Sequence, residues 1–131
     1  MVNNTSYLLD TNILLWWVDD NKRLKRSIYK VIQDKNNQIL VSVVSAIEIS
    51  IKNNLGKLPL KTSLERIFEG SEFEVLDIGL SHALELNRLP LHSGHRDPFD
   101  RVLISQAKAE KLTLITSDEK IWKYKLSILK A

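Results

Sequence analysis

The feature that most constrains the fold is a nearly continuous run of apolar, mostly β-branched residues from Ile39 to Val44. A run of this kind predicts a strand buried on both faces, as in a parallel sheet with helices on either side. Shorter apolar segments, from Ser6 to Leu9 and from Leu112 to Thr116, have the same character. We therefore predict three buried strands in the centre of one sheet.

Helical patterns separate these strands. From Leu24 to Ile32, apolar residues recur at helical spacing among lysines and arginines, which indicates an amphipathic surface helix. The other predicted elements are a helix after Asp10, a helix beginning at Ser45, helices over Leu60 to Glu69, Ser81 to Leu89 and from Asp97 onward, a strand over Phe73 to Ile78, a helical turn after Ser117 and an edge strand over Leu126 to Leu129. This alternation predicts an α/β domain with a central, mainly parallel sheet of four to five strands and helices on both faces.

The stretch from His95 to Ala109, HRDPFDRVLISQAKA, predicts a helix with Asp97 as its N-cap. The expected apolar face comprises Phe99, Val102, Leu103, Ile104 and Ala107, and the residues expected to face water are Arg101, Ser105 and Lys108. Asp100 lies on the apolar side, where a carboxylate is costly unless a cation or several donors compensate it. The alternative is that Asp97 and Asp100 only cap the helix reciprocally.

A second acid, Glu48, follows the strand that begins at Ile39. Ser45 and Glu48 have the spacing of a capping box, which predicts that a helix begins at Ser45. Ile47, Ile51 and Leu55 mark the expected buried stripe of that helix, with Glu48 at its border. Here too, a purely capping role is the alternative to a functional one.

Four carboxylates occupy equivalent places in this predicted topology. Asp10 and Asp118 follow strands directly, whereas Glu48 and Asp100 stand in the first turns of helices. These positions lie along one edge of an open α/β sheet, where ligands bind. Clustered carboxylates are stable only with bound protons or a cation. Because the ligands are hard oxygen atoms, the expected ion is Mg²⁺ or Mn²⁺, and one or two such ions suit phosphoryl chemistry.

Length and composition fit a single domain over residues 1–131, which is long enough to bury a core without disulfides. The chain has no cysteine, which excludes thiolate metal sites and cysteine catalysis. The apolar run from Ile13 to Val18 is too short to span a bilayer, so we expect a soluble, cytoplasmic protein.

The net charge is +3, and bases cluster from Lys22 to Arg26 and from Lys120 to Lys130. Such clusters are compatible with contact to a phosphate backbone or with solvated faces.

Four short motifs carry the candidate acids: YLLDTN at Tyr7 to Asn12, SAIEIS at Ser45 to Ser50, HRDPFDRVLISQA at His95 to Ala107 and LITSDE at Leu114 to Glu119. Together they resemble a PIN domain of the VapC-like toxin type over nearly the whole chain. The resemblance implies a three-layer α/β/α fold and a ribonuclease. Its Mg²⁺ or Mn²⁺ would be surrounded by Asp10, Glu48, Asp100 and Asp118, with Asp97 as a support or a cap. It also implies a homodimer and a cognate antitoxin that inserts a segment near the active site.

Several other residues have two interpretations each. A ligand-orienting role and a structural role are both open for Thr116 and Asn12, and contact with RNA or an exposed position without function is open for His92 and His95. Phosphate binding and pairing with Asp97 are the alternatives for Arg96 and Arg101. A surface for RNA stacking or dimerisation is one alternative for Trp16 and Trp17, and core packing of at least one of them is the other.

The leading hypothesis is therefore a metal-dependent endoribonuclease, the toxin component of a type II toxin–antitoxin pair. It is favoured because no proposed ligand is missing from the sequence. The alternative is a non-catalytic RNA- or protein-binding PIN-like module in which the acids are caps. A phosphatase with Asp10 as nucleophile is weaker, because Asn12 stands where a second aspartate would act as acid and base.

Overall fold

A computed structural model describes residues 5–92 and 94–131 of the chain. One sheet contains five strands: β1 (Ser6–Leu9), β2 (Gln38–Ser42), β3 (Glu74–Leu76), β4 (Thr113–Thr116) and β5 (Ile128–Lys130). Their order across the sheet is β3-β2-β1-β4-β5, and all four neighbouring pairs are parallel. The predicted central parallel sheet is therefore confirmed, with β5 at one edge.

Within the described residues, six α-helices connect and cover the strands: α1 (Thr11–Val18), α2 (Arg26–Gln33), α3 (Val43–Asn54), α4 (Leu64–Glu69), α5 (Leu80–Arg88) and α6 (Pro98–Glu110). The predicted turn after Ser117 is a short 3₁₀ helix over Ile121–Lys123. Within the described ranges, no helix is both long enough and apolar enough to cross a membrane.

Successive strand residues point to opposite faces of the sheet, and an apolar core lies on each face of its central strands. In β1, Leu8 packs in a core with Leu103 and Ile104 of α6, whereas Leu9 packs in a second core with Ile13 of α1. Helices α1, α2 and α4 cover the second core, and α5 and α6 cover the first. The three-layer α/β/α architecture is therefore confirmed.

The boundary between β2 and α3 differs from the prediction. The strand ends at Ser42 and the helix begins at Val43, because the Ser42 hydroxyl accepts a hydrogen bond from the backbone N–H of Val44 at 3.0 Å. The prediction that the helix begins at a capping box of Ser45 and Glu48 is wrong. Ser45 lies inside the helix and is fully buried.

The earlier start of α3 goes together with a different buried face. The predicted stripe of Ile47, Ile51 and Leu55 is exposed to 42%, 44% and 63%. The inward face is instead formed by Val44, Ser45, Glu48 and Ile49. The prediction for this stripe is wrong, and Glu48 lies on the inward face of the helix and not at the border of a stripe.

Helix α6 begins as predicted. The Asp97 carboxylate accepts hydrogen bonds from the backbone N–H groups of Phe99 and Asp100, at 2.9 and 3.2 Å. Ser105, however, is fully buried, not exposed as predicted. Its hydroxyl donates to the Arg101 carbonyl at 2.8 Å, so it is satisfied within its own helix and can be buried.

Two further observations concern the start of α4 and the two adjacent tryptophans. Helix α4 begins at Leu64, not Leu60, because the Ser63 hydroxyl caps it by accepting from the Arg66 backbone N–H at 3.2 Å. Trp17 packs against the Tyr29 ring at 4.7 Å between centroids, beside the second core. Trp16 is also half-buried against this core, so core packing is confirmed for at least one of the two adjacent tryptophans.

Candidate active site

The four predicted site acids line one cavity of about 160 Å³. The eight described residues around it are Asp10, Thr11, Asn12, Glu48, Lys52, Asp97, Asp100 and Asp118. Asp10 directly follows β1, and Asp118 follows the neighbouring strand β4, so both stand at the carboxyl ends of parallel strands. The chain passes from β1 to β2 on one side of β1, whereas β4 lies on the other side, so the strand order reverses between β1 and β4. A crevice at such a reversal is the usual ligand site of an open α/β sheet.

Asp10 is almost completely buried, with 5% of its surface exposed. Its Oδ1 accepts a hydrogen bond from the Thr11 backbone N–H at 2.7 Å, and its Oδ2 accepts one from the Thr116 hydroxyl at 2.7 Å. Burial raises the pKa of Asp10 to about 6, against the lowering effect of these two hydrogen bonds. The charges of Glu48 and Asp118 raise this pKa further. Asp10 therefore caps α1 by position and also carries a poorly solvated charge.

Glu48 is held by a chain of hydroxyl groups. The Thr11 hydroxyl donates to Glu48 Oε1 at 2.8 Å and lies 2.8 Å from the Ser45 hydroxyl. Because the single Thr11 hydroxyl proton goes to Glu48, Ser45 is the donor to Thr11. The second oxygen, Oε2, binds the ammonium group of Lys52 at 2.6 Å, and this bond raises the pKa of Lys52. Glu48 therefore reaches the cavity with both carboxylate oxygens already engaged.

Asp100 stands in the first turn of α6, and its side chain is 15% exposed. Its Oδ2 lies 3.0 Å from the Nε2 atom of His95, and among the described residues no hydrogen bond joins its carboxylate to the Asp97 backbone N–H. Burial raises the pKa of Asp100 to about 7. The hydrogen bond with His95 lowers this pKa, whereas the charges of Asp10, Asp97 and Asp118 raise it.

Asp118 is positioned by a turn after β4. Its backbone N–H donates to the Thr116 hydroxyl at 3.1 Å, and its Oδ1 accepts from the Lys120 backbone N–H at 2.9 Å. Thr116 thus links Asp118 to Asp10 through one hydroxyl group. Ligand atoms of His95, Asp100 and Asp118 all lie within 4.8 Å of one another, a grouping that could hold a metal ion.

The structure defines the environments of His95, Lys52 and Arg101 more closely than the sequence does. His95 was expected to be exposed, but only 3% of its surface is accessible and its ring contacts Asp100. Lys52, one helical turn after Glu48 on α3, lines the cavity while 45% of its side chain is exposed. Arg101 does not pair with Asp97 in the described structure. It donates to the carbonyl oxygens of Leu89 and Pro90, both at 3.0 Å.

A weak signal for Lys52 is present in the sequence, because residues four apart on a helix are neighbours and Glu48 precedes it by four. No comparable signal identifies His95. It lies in a loop, and its second partner, Tyr124, is 29 residues away.

The fold and the acid-lined cavity define an α/β/α domain with a clustered-carboxylate site. The model of the PIN domain family matches residues 7–125, and the chain belongs to this family. The sequence resemblance to PIN domains is therefore confirmed. No sequence among the curated proteins matches this chain.

Several solved structures with the same fold come from toxin–antitoxin complexes. VapBC2 from Rickettsia felis, bound to a DNA fragment from its promoter, matches with a TM-score of 0.72 and 20% identity, covering 96% of this chain and 98% of that one. VapBC-1 from nontypeable Haemophilus influenzae matches with a TM-score of 0.67 and 20% identity over 96% and 98%. VapBC-5 from Mycobacterium tuberculosis matches with a TM-score of 0.63 and 17% identity over 97% and 99%. At these identities, the likeness establishes the VapC-like fold.

Proposed function

We propose that this protein is a metal-dependent endoribonuclease and the toxin component of a type II toxin–antitoxin pair. The observation that carries the proposal is the composition of the cavity wall. Five of its eight described residues are carboxylates: Asp10, Glu48, Asp97, Asp100 and Asp118. A single lysine, Lys52, offsets them within that lining, so the cavity has a large excess of negative charge.

The chemistry of the donor set fits a hard divalent cation. Mg²⁺ and Mn²⁺ prefer carboxylate oxygens, and neither needs a thiolate. The raised pKa values of Asp10 and Asp100, about 6 and about 7, indicate carboxylates whose negative charge is poorly compensated by the protein itself. We propose Asp10, Glu48, Asp100 and Asp118 as the residues that hold the ion, with Asp97 capping α6 beside them.

A bound divalent cation would supply charge neutralisation for a phosphodiester and activation of water. The chain's own groups would perform the remaining tasks. Thr116 and Thr11 fix the carboxylates of Asp10 and Glu48 through hydrogen bonds of 2.7 and 2.8 Å. Lys52, at the cavity wall, would attract an incoming phosphate. The N-termini of α1 and α6, which follow Asp10 and Asp97, would add positive potential for the same phosphate.

Support for RNA as the substrate comes from the family resemblance and from charge. The basic side chains of Lys22, Arg23, Lys25 and Arg26 are all exposed. Exposed lysine and arginine side chains bind a phosphate backbone without reading its sequence. Support for an antitoxin partner comes from the fold shared with VapBC complexes, and the exposed apolar side chains of Ile47, Ile51 and Leu55 favour a protein partner in general. A homodimer is part of the same proposal.

The test is cleavage of a mixed single-stranded RNA pool by the purified protein with Mn²⁺, Mg²⁺ or chelator. Asp10→Asn and Asp100→Asn should each reduce the cleavage rate by several orders of magnitude, because metal-ion catalysis would be lost. RNA binding, measured by filter retention, should persist in both variants and weaken as salt rises.

Two variants serve as controls. Asp97→Asn should lose less activity than either site variant, because asparagine caps a helix about as well as aspartate. Asp77→Asn removes an exposed aspartate outside the cavity lining and should match the unmodified protein. Cleavage that persists in chelator, or in Asp100→Asn, would mean that the protein is not this nuclease. RNA binding without any cleavage would favour the non-catalytic alternative.

A further inference from the structure

Asp100 is the end of a chain of four hydrogen-bonded side chains. The Arg101 guanidinium lies 3.1 Å from the Tyr124 hydroxyl, and that hydroxyl lies 2.8 Å from Nδ1 of His95. The other ring nitrogen of His95, Nε2, lies 3.0 Å from Oδ2 of Asp100. Both rings are nearly inaccessible, with exposed fractions of 3% for His95 and 4% for Tyr124.

The protons available on these four side chains determine which atom donates in each hydrogen bond. Arginine is only a donor, so the Tyr124 oxygen accepts from Arg101. The single hydroxyl proton of Tyr124 is then available to Nδ1 of His95, which must be unprotonated to accept it. A neutral imidazole with unprotonated Nδ1 carries its proton on Nε2, and this N–H points at Asp100. In this arrangement each of the three hydrogen bonds between the four side chains has one donor and one acceptor.

The far end of the chain is anchored to the backbone. Arg101 also donates to the carbonyl oxygens of Leu89 and Pro90, both at 3.0 Å. The His92 ring packs edge-on against Tyr124 at 4.4 Å between centroids. These contacts restrict the Tyr124 hydroxyl and, through it, the orientation of the His95 ring.

We propose that His95 is a positioning residue that holds the Asp100 carboxylate in place through its Nε2–H group. The inference rests on the proposed function, because it assigns His95 a role in the geometry of a proposed metal ligand. Hydrogen bonds of this kind orient a ligand, and their loss typically lowers metal affinity about 10- to 100-fold. His95 occupies Oδ2, and no described hydrogen bond occupies Oδ1, which is left for a cation.

The competing role for His95 is direct metal ligation, since its Nε2 lies close to Asp100 and Asp118. Ligation would require Nε2 to give up its proton. The proton would then sit on Nδ1 and point at the Tyr124 oxygen, which already accepts from Arg101. The hydroxyl proton of Tyr124 would lose its acceptor in a buried position, which is costly. The hydrogen-bond chain therefore favours positioning over ligation.

The test compares Mn²⁺ affinity by calorimetry in His95→Gln and His95→Asn. A glutamine amide reaches the position of Nε2, whereas an asparagine amide reaches only that of Nδ1. We expect His95→Asn to weaken Mn²⁺ binding about 10- to 100-fold, and His95→Gln to restore most of it. Tyr124→Phe should give an intermediate loss. The matched control is His82→Gln, since His82 is equally buried, with 4% exposed, and its Nε2 pairs with Glu110 at 2.9 Å outside the cavity lining.

A second measurement uses the unmodified protein, so it does not depend on whether a variant folds. Long-range ¹H–¹⁵N spectra of the unmodified protein distinguish the two neutral forms of histidine, and the chain has only three histidines to assign. We expect His95 in the Nε2–H form both before and after Mg²⁺ is added. An Nδ1–H form before Mg²⁺ is added, or a change to that form after it, would overturn the inference.

The calorimetric outcomes separate the two proposals. If the unmodified protein binds Mn²⁺ and His95→Asn binds it equally well, the positioning role is wrong and the proposed function stands. If the unmodified protein binds no Mn²⁺, the proposed function fails and the positioning role fails with it.

Discussion

Replacing Asp10 by asparagine should stabilise the metal-free protein at alkaline pH. The pKa of Asp10 rises from the ordinary 3.8 to about 6 in the folded chain, with burial as the largest cause. One pKa unit corresponds to about 1.4 kcal/mol, so the ionised carboxylate costs the folded state about 3 kcal/mol. Asparagine keeps the acceptor for the Thr11 backbone N–H but turns an amide toward Thr116. We therefore expect a net gain of about 1 to 3 kcal/mol at pH 8.

The pH dependence follows from the direction of the shift. An acid whose pKa is higher in the folded chain binds its proton more tightly when the chain is folded. Its contribution to stability is most favourable below about pH 4, is lost as the pH rises from about 4 to about 6, and stays lost above that range. The advantage of Asp10→Asn should therefore be full at pH 8, smaller at pH 5 and nearly absent at pH 4.

The assay is thermal unfolding in chelator across this pH range. For a chain of this length, the gain at pH 8 corresponds to roughly 5 to 10 °C in melting temperature. Asp77→Asn, which removes an exposed carboxylate, should change the melting temperature little at any pH. The reasoning would be refuted if Asp10→Asn melted no higher than the unmodified protein at pH 8. Equal melting temperatures at every pH would be the result for a residue that only caps α1, since asparagine caps a helix about as well as aspartate.

Two further predictions test the packing around the site. Ile49→Ala should lower the free energy of unfolding by about 2 to 5 kcal/mol, whereas Ile51→Ala should lower it by less than about 1 kcal/mol, because Ile49 is fully buried and Ile51 is 44% exposed. Urea denaturation measures both, and equal losses would contradict the observed face of α3. Arg101→Gln should cost about 1 to 3 kcal/mol in the same assay, because two carbonyl oxygens and the Tyr124 hydroxyl lose a charged donor. A loss within the error of the assay would show that water replaces the guanidinium.

The sheet and the convergence of the acids could be predicted because both follow from local patterns. The run beginning at Ile39 is apolar on both faces of the strand, and this pattern is typical of a strand that lies between two layers of helices. Once parallel strands are assigned, their carboxyl ends meet at one edge, and Asp10 and Asp118 come together without any further assumption. The cap at Asp97 is equally local, since it depends on backbone N–H groups two and three residues further on.

The face of α3 could not be predicted because two serines compete for the cap. Ser42 and Ser45 both suit an N-cap, and Ser45 also has the spacing of a capping box with Glu48, three residues later. The structure uses Ser42, and the Ser45 hydroxyl instead contacts Thr11, 34 positions earlier in the chain. The spacing of Ile47, Ile51 and Leu55 is that of a buried stripe, but spacing reports only that a face is apolar, not that another part of the chain covers it.

The environment of His95 was missed for a related reason. A loop has no periodicity that would assign a side chain to the interior. The His95 ring is buried through contacts with Asp100 and with Tyr124, and the second of these depends on the packing of the turn after β4. Such a contact becomes visible only when the tertiary structure is known.

The hydrogen bond between Thr116 and Asp10 joins residues that are 106 positions apart. The strand that carries Thr116, β4, also lies inside the sheet, between β1 and β5. Closing so long a loop costs little more entropy than closing one of half the length, but it cannot happen before the second partner has been synthesised. While a ribosome is still making the first hundred residues, Asp10 and Glu48 exist without Asp118 and without Thr116, whose hydroxyl fixes the Asp10 carboxylate. The complete cavity is therefore a late product of translation, and no nascent chain that ends before residue 118 can possess it.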